Sequence, residues 1–144
     1  MYRPQYFELH ELVCPHVYRV WGEKAWMYLD EKGLITIDWL RRTIGKSMTI
    51  NDWYEGGTFD QRGLRCILCD IVKEKSDKGE LYVSAHLLGK GYDADIKGLT
   101  AEEVRLWLSK NKDKLPYNIR VEKGVKWLHI DVYDTGNKIT FINP

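Results

Sequence analysis

Apolar positions in the N-terminal third of the chain recur at three- and four-residue intervals. In HVYRVWGEKAWMYLDEKG, Val17, Val20, Trp21, Met27 and Tyr28 fall on one helical stripe, and Gly33 is its expected C-terminal stop. LITIDWLRRTI repeats the spacing with Leu34, Ile37, Leu40, Arg41 and Ile44, and Gly45 ends it. Two short helices joined at Gly33 are expected to pack as a pair. The period then changes. KSMTIN alternates and is β-branched, so it predicts a strand. DWYEGGTFDQRGLR carries the glycine punctuation of a loop. The segment from Cys66 to Lys75 reads as a short helix or an extended arm, and SDKGE as a turn. Tyr82 to Ser84 leads into SAHLLGKGYDADI, where YDADI starts a central strand with polar residues toward a cavity. LTAEEVRLWLSKN is the clearest helix. Thr100 and Glu103 form a capping box, and Val104, Trp107 and Leu108 supply an apolar face. The last stretch, NIRVEKGVKWLHIDVYDTGNKITFINP, predicts a β-meander with turns at Lys123-Gly124 and Thr135-Gly136-Asn137. The order of elements implies one α+β domain over residues 1–144, built on a small antiparallel sheet.

Composition narrows the function classes. Hydrophobic residues make up 44% of the chain, enough for a core without staples. The net charge of +1 gives no broad footprint for a nucleic acid. No apolar run approaches the ~18 residues of a membrane span, and the N-terminal residues lack a secretory pattern. Synthesis in a reducing cytoplasm is therefore expected, with no membrane partner. The three cysteines do not make a disulfide framework. Cys66 and Cys69 have the spacing of half a zinc finger. With no second pair of suitable spacing beside them, they read as small packing residues. His10 and His16 read as surface or packing histidines. Trp21, Trp26, Trp39 and Trp107 fit helix faces and read as core, while Trp53 and Tyr54 stand equally as groove or filler.

Candidate chemistry concentrates in the SAHLLGKGYDADI stretch. Zinc takes imidazole nitrogens and carboxylate oxygens, with one position open to water in catalytic sites. His86 and Asp93 suit a loop that turns at Gly89 and enters a strand at Asp93. Small residues at 89 and 91 would let the backbone pass close to the metal. A third ligand must come from elsewhere, and His129, in the predicted strand KWLHIDV beside Asp131, is the candidate. The same residues also admit a plain reading, with a loop histidine, a satisfied sheet histidine and ordinary turn glycines.

SAHLLGKGYD resembles the Ser-x-His-x-x-Gly-x-Ala-x-Asp signature of the zinc D-Ala-D-Ala carboxypeptidase family, whose fold is shared with the hedgehog signalling domain. WLHIDV resembles the family's second motif, a strand histidine in the form His-x-Asp. The two stand in the family's order with a helix between them. The likeness runs roughly from Lys46 to the end, and the N-terminal helices look like those of phage-encoded members. It implies a hedgehog/DD-peptidase-like fold and Zn2+ held by His86, Asp93 and His129, with Ser84 helping to orient a ligand. Asp95 competes with Asp93, but the family spacing favours Asp93. Gly91 stands where the family usually has alanine.

Such a peptidase needs a general base and a cation for the oxyanion. Many relatives carry an acid three residues before the second histidine. Here that position is Lys126. Glu122 is the nearest alternative: a hairpin with a four-residue loop would put it opposite Trp127, on the face of His129 and about 7 Å away diagonally. Asp131 is the runner-up base, with a second reading as the carboxylate that orients a histidine. For the cation the family uses an upstream arginine. QRGLR offers Arg62 and Arg65, and the likeness of GLR to the family's GYR favours Arg65. The resemblance implies hydrolysis of peptidoglycan stem peptides, as a D,D-carboxypeptidase or an L,D- or D,D-endopeptidase. A phage lytic enzyme acting at the bacterial wall, after release or as a virion component, fits the absence of a signal peptide. A monomer is the expected state. The alternative is a non-catalytic binding or structural module of a phage particle that keeps zinc for stability.

Overall fold

In the computed structural model, which describes residues 1–144, the N-terminal helical stretch divides at places the periodicity does not predict. Helix α1 (Leu9–Leu12) is followed by α2 (Pro15–Trp21). Gly22, at φ 50°, ends α2, and a 3-10 segment, Gly22–Tyr28, continues the chain. The next helix, α3 (Glu31–Ile44), starts at Asp30, whose carboxylate accepts hydrogen bonds from the backbone N–H groups of Lys32 and Gly33. Gly33 is thus inside the first turn of α3 and not a helix stop. A Cβ there would come 3.2 Å from Tyr92 Cε2, so its role is close packing. The expected stripe from Val17 to Tyr28 is not a core face either: Val20 is 76% exposed and Met27 57%. A single α-helical period does not run through a break at Gly22. Trp26 and Trp39 are core as expected, Trp107 packs against Trp39 at the core edge, and Trp21 is exposed.

The remaining elements are β1 (Met48–Thr49), α4 (Asp70–Asp77), β2 (Gly91–Ile96), α5 (Ala101–Lys110), β3 (Ile119–Glu122), β4 (Leu128–Asp131) and β5 (Ile139–Ile142). The capping box of α5 forms as predicted: Thr100 Oγ1 accepts from Glu103 N, and Glu103 Oε2 accepts from Thr100 N. An α+β domain results, but its sheet is mixed and not antiparallel throughout. Strand order is β1-β2-β4-β3-β5, and β5 runs parallel to β3. The predicted meander fails because β4 has no free edge. It is hydrogen-bonded to β2 on one side and β3 on the other, so β5 must take the outer edge of β3.

Strand alternation separates core from site. Leu128 and Ile130 of β4, and Tyr92 and Ala94 of β2, face the core built with Leu34, Ile37 and Leu40 of α3 and Val104 and Leu108 of α5. His129, Asp131 and Asp93 point to the other face. No helix is long and apolar enough to cross a membrane.

The β3–β4 connection is longer than predicted. Val121 pairs with Ile130 and Arg120 with Asp131. Continuing that register sets Glu122 opposite His129, not Trp127. The reason is tertiary. Arg105 of α5, 5% exposed, donates to the carbonyls of Glu122 (3.0 Å), Val125 (2.6 Å) and Trp127 (3.0 Å). The guanidinium props the loop open and satisfies carbonyls that a tight hairpin would have paired along the ladder.

Candidate functional site

Three elements bring His86, Asp93 and His129 together. β2 and β4 pair so that Asp93 and His129 are direct cross-strand partners. His86 arrives from the loop before β2, held by hydrogen bonds across it from Leu88 N and Lys90 N to the Ala85 carbonyl. The ligand atoms of all three lie within 4.8 Å of one another. Asp93 Oδ1 is 2.8 Å from His129 Nδ1, and Asp93 Oδ2 is 3.3 Å from His86 Nε2. All three residues are buried.

The far side of each ring decides which nitrogen faces the centre. His86 Nδ1 lies 2.9 Å from the Gly63 carbonyl, which can only accept, so Nδ1 carries the hydrogen and Nε2 presents its lone pair inward. His129 Nε2 is 2.9 Å from Asp131 Oδ2, which leaves Nδ1 toward Asp93. Two imidazoles with their outer N–H groups anchored on a carbonyl and a carboxylate, and their inner nitrogens converging on a third carboxylate, form a donor set suited to a metal. The donor atoms are close enough together to share one ion with bonds of about 2.0–2.2 Å. These residues therefore fit a divalent ion with nitrogen and oxygen ligands.

The electrostatics agree. Burial alone would raise the Asp93 carboxyl, but its contacts with His129 and His86 outweigh that and hold it well below its ordinary value. Burial would lower His129, yet its contacts with Asp131 and Asp93 prevail and push the ring up to about 9. Burial likewise opposes ionisation of Asp131, and His129 and Arg120 overcome it. A metal ion at Nδ1 would displace a proton, so binding and proton release are coupled here.

The other expected residues fall in distinct places. Arg65 is at the site: Nη2 is 3.2 Å from Asp93 Oδ2, Nη1 donates to Tyr82 Oη at 2.6 Å, and Nε donates to the Gln61 carbonyl at 2.5 Å. Arg62 instead pairs with the exposed Asp95 at 2.8 Å and covers the Phe59 ring. Neither Arg62 nor Asp95 is in the His86–Asp93–His129 group or lines the cavity beside it. Glu122 lines the same cavity as the histidines, with a volume of about 350 Å³, together with Arg65, Tyr82, Trp127 and Arg120. Asp131 does not offer a free carboxylate. Oδ2 accepts from His129, and both oxygens are gripped by Arg120 at 2.8 and 2.9 Å. Its geometry is that of the orienting carboxylate. Ser84 makes no hydrogen bond to any ligand; its buried Oγ has no partner at all. The glycines do not make room for a metal. At Gly89, φ is 66°, and a Cβ would meet the Tyr28 carbonyl oxygen at 2.0 Å. At Gly91 a Cβ would meet Ala85 Cβ at 2.7 Å. The family's alanine therefore has no space in this chain.

Sequence reasoning missed Tyr82 and Arg120. Arg120 had a readable sign: it stands two residues before Glu122 in the same strand and so shares its face. Trp53 and Tyr54 line no groove beside this site. Trp53 donates to the Val13 carbonyl at 3.1 Å, and Tyr54 stacks on His10 with ring centroids 4.2 Å apart.

A second group of metal-ligating side chains was dismissed from the sequence and is present in the fold. Cys14, His16, Cys66 and Cys69 bring their ligand atoms within 4.8 Å of one another. The missing half of the Cys66–Cys69 pair is Cys14-Pro15-His16, fifty residues upstream, as a Cys-x-His pair. The cluster could hold a metal ion.

Comparison with known proteins returns no match: no family model fits the chain, and no curated protein or solved structure matches it. The assignment of function therefore rests on the site itself and on the motifs quoted above.

Proposed function

We propose that the chain is a zinc-dependent peptidase that cleaves peptide bonds in the stem peptides of bacterial peptidoglycan. The observation that carries the reading is the convergence of His86 Nε2, His129 Nδ1 and Asp93 with a glutamate, Glu122, on the same cavity wall. His86, Asp93 and His129 would hold the zinc, which when bound supplies an acidified water and a polarised substrate carbonyl. Glu122 accepts the proton of the attacking water and returns it to the departing amine. Directly opposite residues on paired strands have Cβ atoms about 4.5–5.5 Å apart, so a glutamate at 122 reaches a water beside His129. Arg65 steadies the charge that develops on the carbonyl oxygen. Of its five N–H groups, three are engaged by Asp93, Tyr82 and Gln61, and the others remain for substrate. Asp131 keeps His129 in its working tautomer, and Arg120 adds a second guanidinium to the cavity wall.

The substrate class comes from the resemblance of SAHLLGKGYD and WLHIDV to the D-Ala-D-Ala carboxypeptidase family. A cavity of about 350 Å³ suits a short peptide segment. Action at the bacterial wall, as a phage lytic enzyme, follows from the same resemblance. The test uses wild type and Glu122→Gln, each assayed for zinc content and for release of amino acids or new amino groups from purified peptidoglycan. Hydrolysis by wild type, with a loss of about 10²- to 10⁴-fold in the variant at unchanged zinc, is expected. Zinc retained in a wild type that cleaves no stem peptide would replace the enzyme with a zinc-held structural or binding module.

A further inference from the structure

We infer that Cys14, His16, Cys66 and Cys69 form a second, sulfur-rich zinc site that clamps the N-terminal helices to the segment presenting Arg65 and orienting His86. The inference does not depend on the peptidase reading, because it uses none of the same ligands.

His16, Cys66 and Cys69 are spaced as three corners of one tetrahedral ion, and the Cys14 sulfur lies within 4.8 Å of each of them. Cys66 Sγ is 3.6 Å from His16 Nδ1, Cys69 Sγ is 3.8 Å from it, and the two sulfurs are 4.0 Å apart. Zinc bonds of about 2.3 Å to sulfur and 2.0–2.1 Å to nitrogen give S···S edges near ~3.8 Å and S···N edges near ~3.5 Å. The sulfurs are too far apart for a disulfide, whose S–S bond is about 2.05 Å, and all three cysteines are free. Sulfur-bound backbone amides add an independent sign. Cys66 N donates to Cys69 Sγ at 3.3 Å, and Leu68 N donates to Cys66 Sγ at 3.4 Å. Amides aimed at sulfur stabilise thiolates, as a turn built on a Cys-x-x-Cys ligand pair requires. Cys14 and Cys69 are 0% and 1% exposed, with no water to solvate a thiolate unless a cation does so. Three soft thiolates and one imidazole select zinc over hard, oxygen-seeking ions. Binding would release up to one proton per thiol and leave a centre with one net negative charge.

The position gives the site its function. Cys14 N donates to the Leu64 carbonyl at 3.0 Å, and Leu64 N donates to the Leu12 carbonyl at 2.8 Å, so the two halves of the cluster are already sewn together. Between them run Gly63, whose carbonyl fixes the His86 tautomer, and Arg65, whose N–H donates to the His86 carbonyl at 3.0 Å. A metal at the cysteines would hold that segment against α2, with its catalytic neighbour Arg65 adjacent to a ligand.

The decisive experiment is cobalt substitution of the full wild-type chain, read by absorbance. The first site has no sulfur ligand, so a thiolate-to-cobalt charge-transfer band in the near ultraviolet can arise only from the cysteine cluster. The band is expected, together with about two metal ions per chain, and the half-exposed Cys66 thiol should resist a thiol reagent until a chelator is added. In Cys66→Ser, at a half-exposed position, the band should vanish and metal content fall by one equivalent. Absence of the band in metal-loaded wild type, with the half-exposed Cys66 thiol freely reactive, would overturn the inference. Loss of metal from His129→Ala with the band retained would separate failure of one site from failure of the other.

Discussion

Replacing Asp131 by asparagine probes how the first site is held. The carboxylate faces donors only. Oδ1 accepts from Arg120 Nε at 2.8 Å and Tyr133 N at 3.2 Å; Oδ2 accepts from Arg120 Nη2 at 2.9 Å and His129 Nε2 at 2.9 Å. An amide keeps one oxygen and turns the other into an NH2 group, so either orientation sets a donor against two donors. If the NH2 faces His129, the ring must turn its proton to Nδ1, the nitrogen needed for the metal. If it faces Tyr133, the ring keeps its tautomer but loses a charged partner. Loss of such an outer partner weakens metal binding by about 10- to 100-fold, or about 1.4–2.8 kcal/mol. Metal-free stability should also fall by about 2 kcal/mol, the scale of one hydrogen bond to a charged group, lowering Tm by roughly 4–8 °C. Affinity is measured by competition with a chromophoric zinc chelator in a Cys66→Ser background, so that only the histidine site is read, with Asp95→Asn as the control, since Asp95 is exposed and pairs only with Arg62. A folded Asp131→Asn protein with the zinc affinity of wild type would refute the tautomer argument, and with it the assignment of Nδ1 as the ligand atom.

Gly91→Ala should destabilise the chain by about 1–3 kcal/mol through the 2.7 Å contact with Ala85 Cβ; the double variant with Ala85→Gly should recover most of it in denaturant melts. Arg105→Met strands the carbonyls of Glu122, Val125 and Trp127, so a loss of about 3 kcal/mol is expected. Amide exchange should then quicken in residues 123–127 while zinc content at the histidine site stays the same. Arg65→Lys cannot reproduce a fork that spans Asp93, Tyr82 and Gln61. It should lower kcat for stem-peptide cleavage at least tenfold without loss of zinc; an unchanged kcat would remove Arg65 from the oxyanion role.

Local chemistry made parts of this protein legible in the sequence. The Thr100–Glu103 box sits wholly within one helical turn, and it formed where expected. YDADI and LHID alternate, so the facing of Asp93 and His129 away from the core followed from the two-residue period of a strand. The segments that failed did so for two reasons, one local and one remote in the chain. The stripe from Val17 to Tyr28 was broken by Gly22, and the capping carboxylate of Asp30 started α3 ahead of the expected stop at Gly33; both were local signals outweighed by an apparent period. The hairpin register depended on Arg105, which nothing near Glu122 announces.

By itself the sequence determined the period of each strand, the cap of α5 and the pairing of two short motifs as halves of a possible metal site. Those features are set by neighbours within a few residues, where backbone geometry leaves few choices. Tertiary structure decided which edge β5 could take, which arginine met Asp93, that Asp131 was already held by Arg120, and that Cys14 and His16 complete Cys66 and Cys69. Each of these is a contact between groups far apart along the chain. Its existence depends on the packing of the whole domain, which spacing in the sequence does not encode.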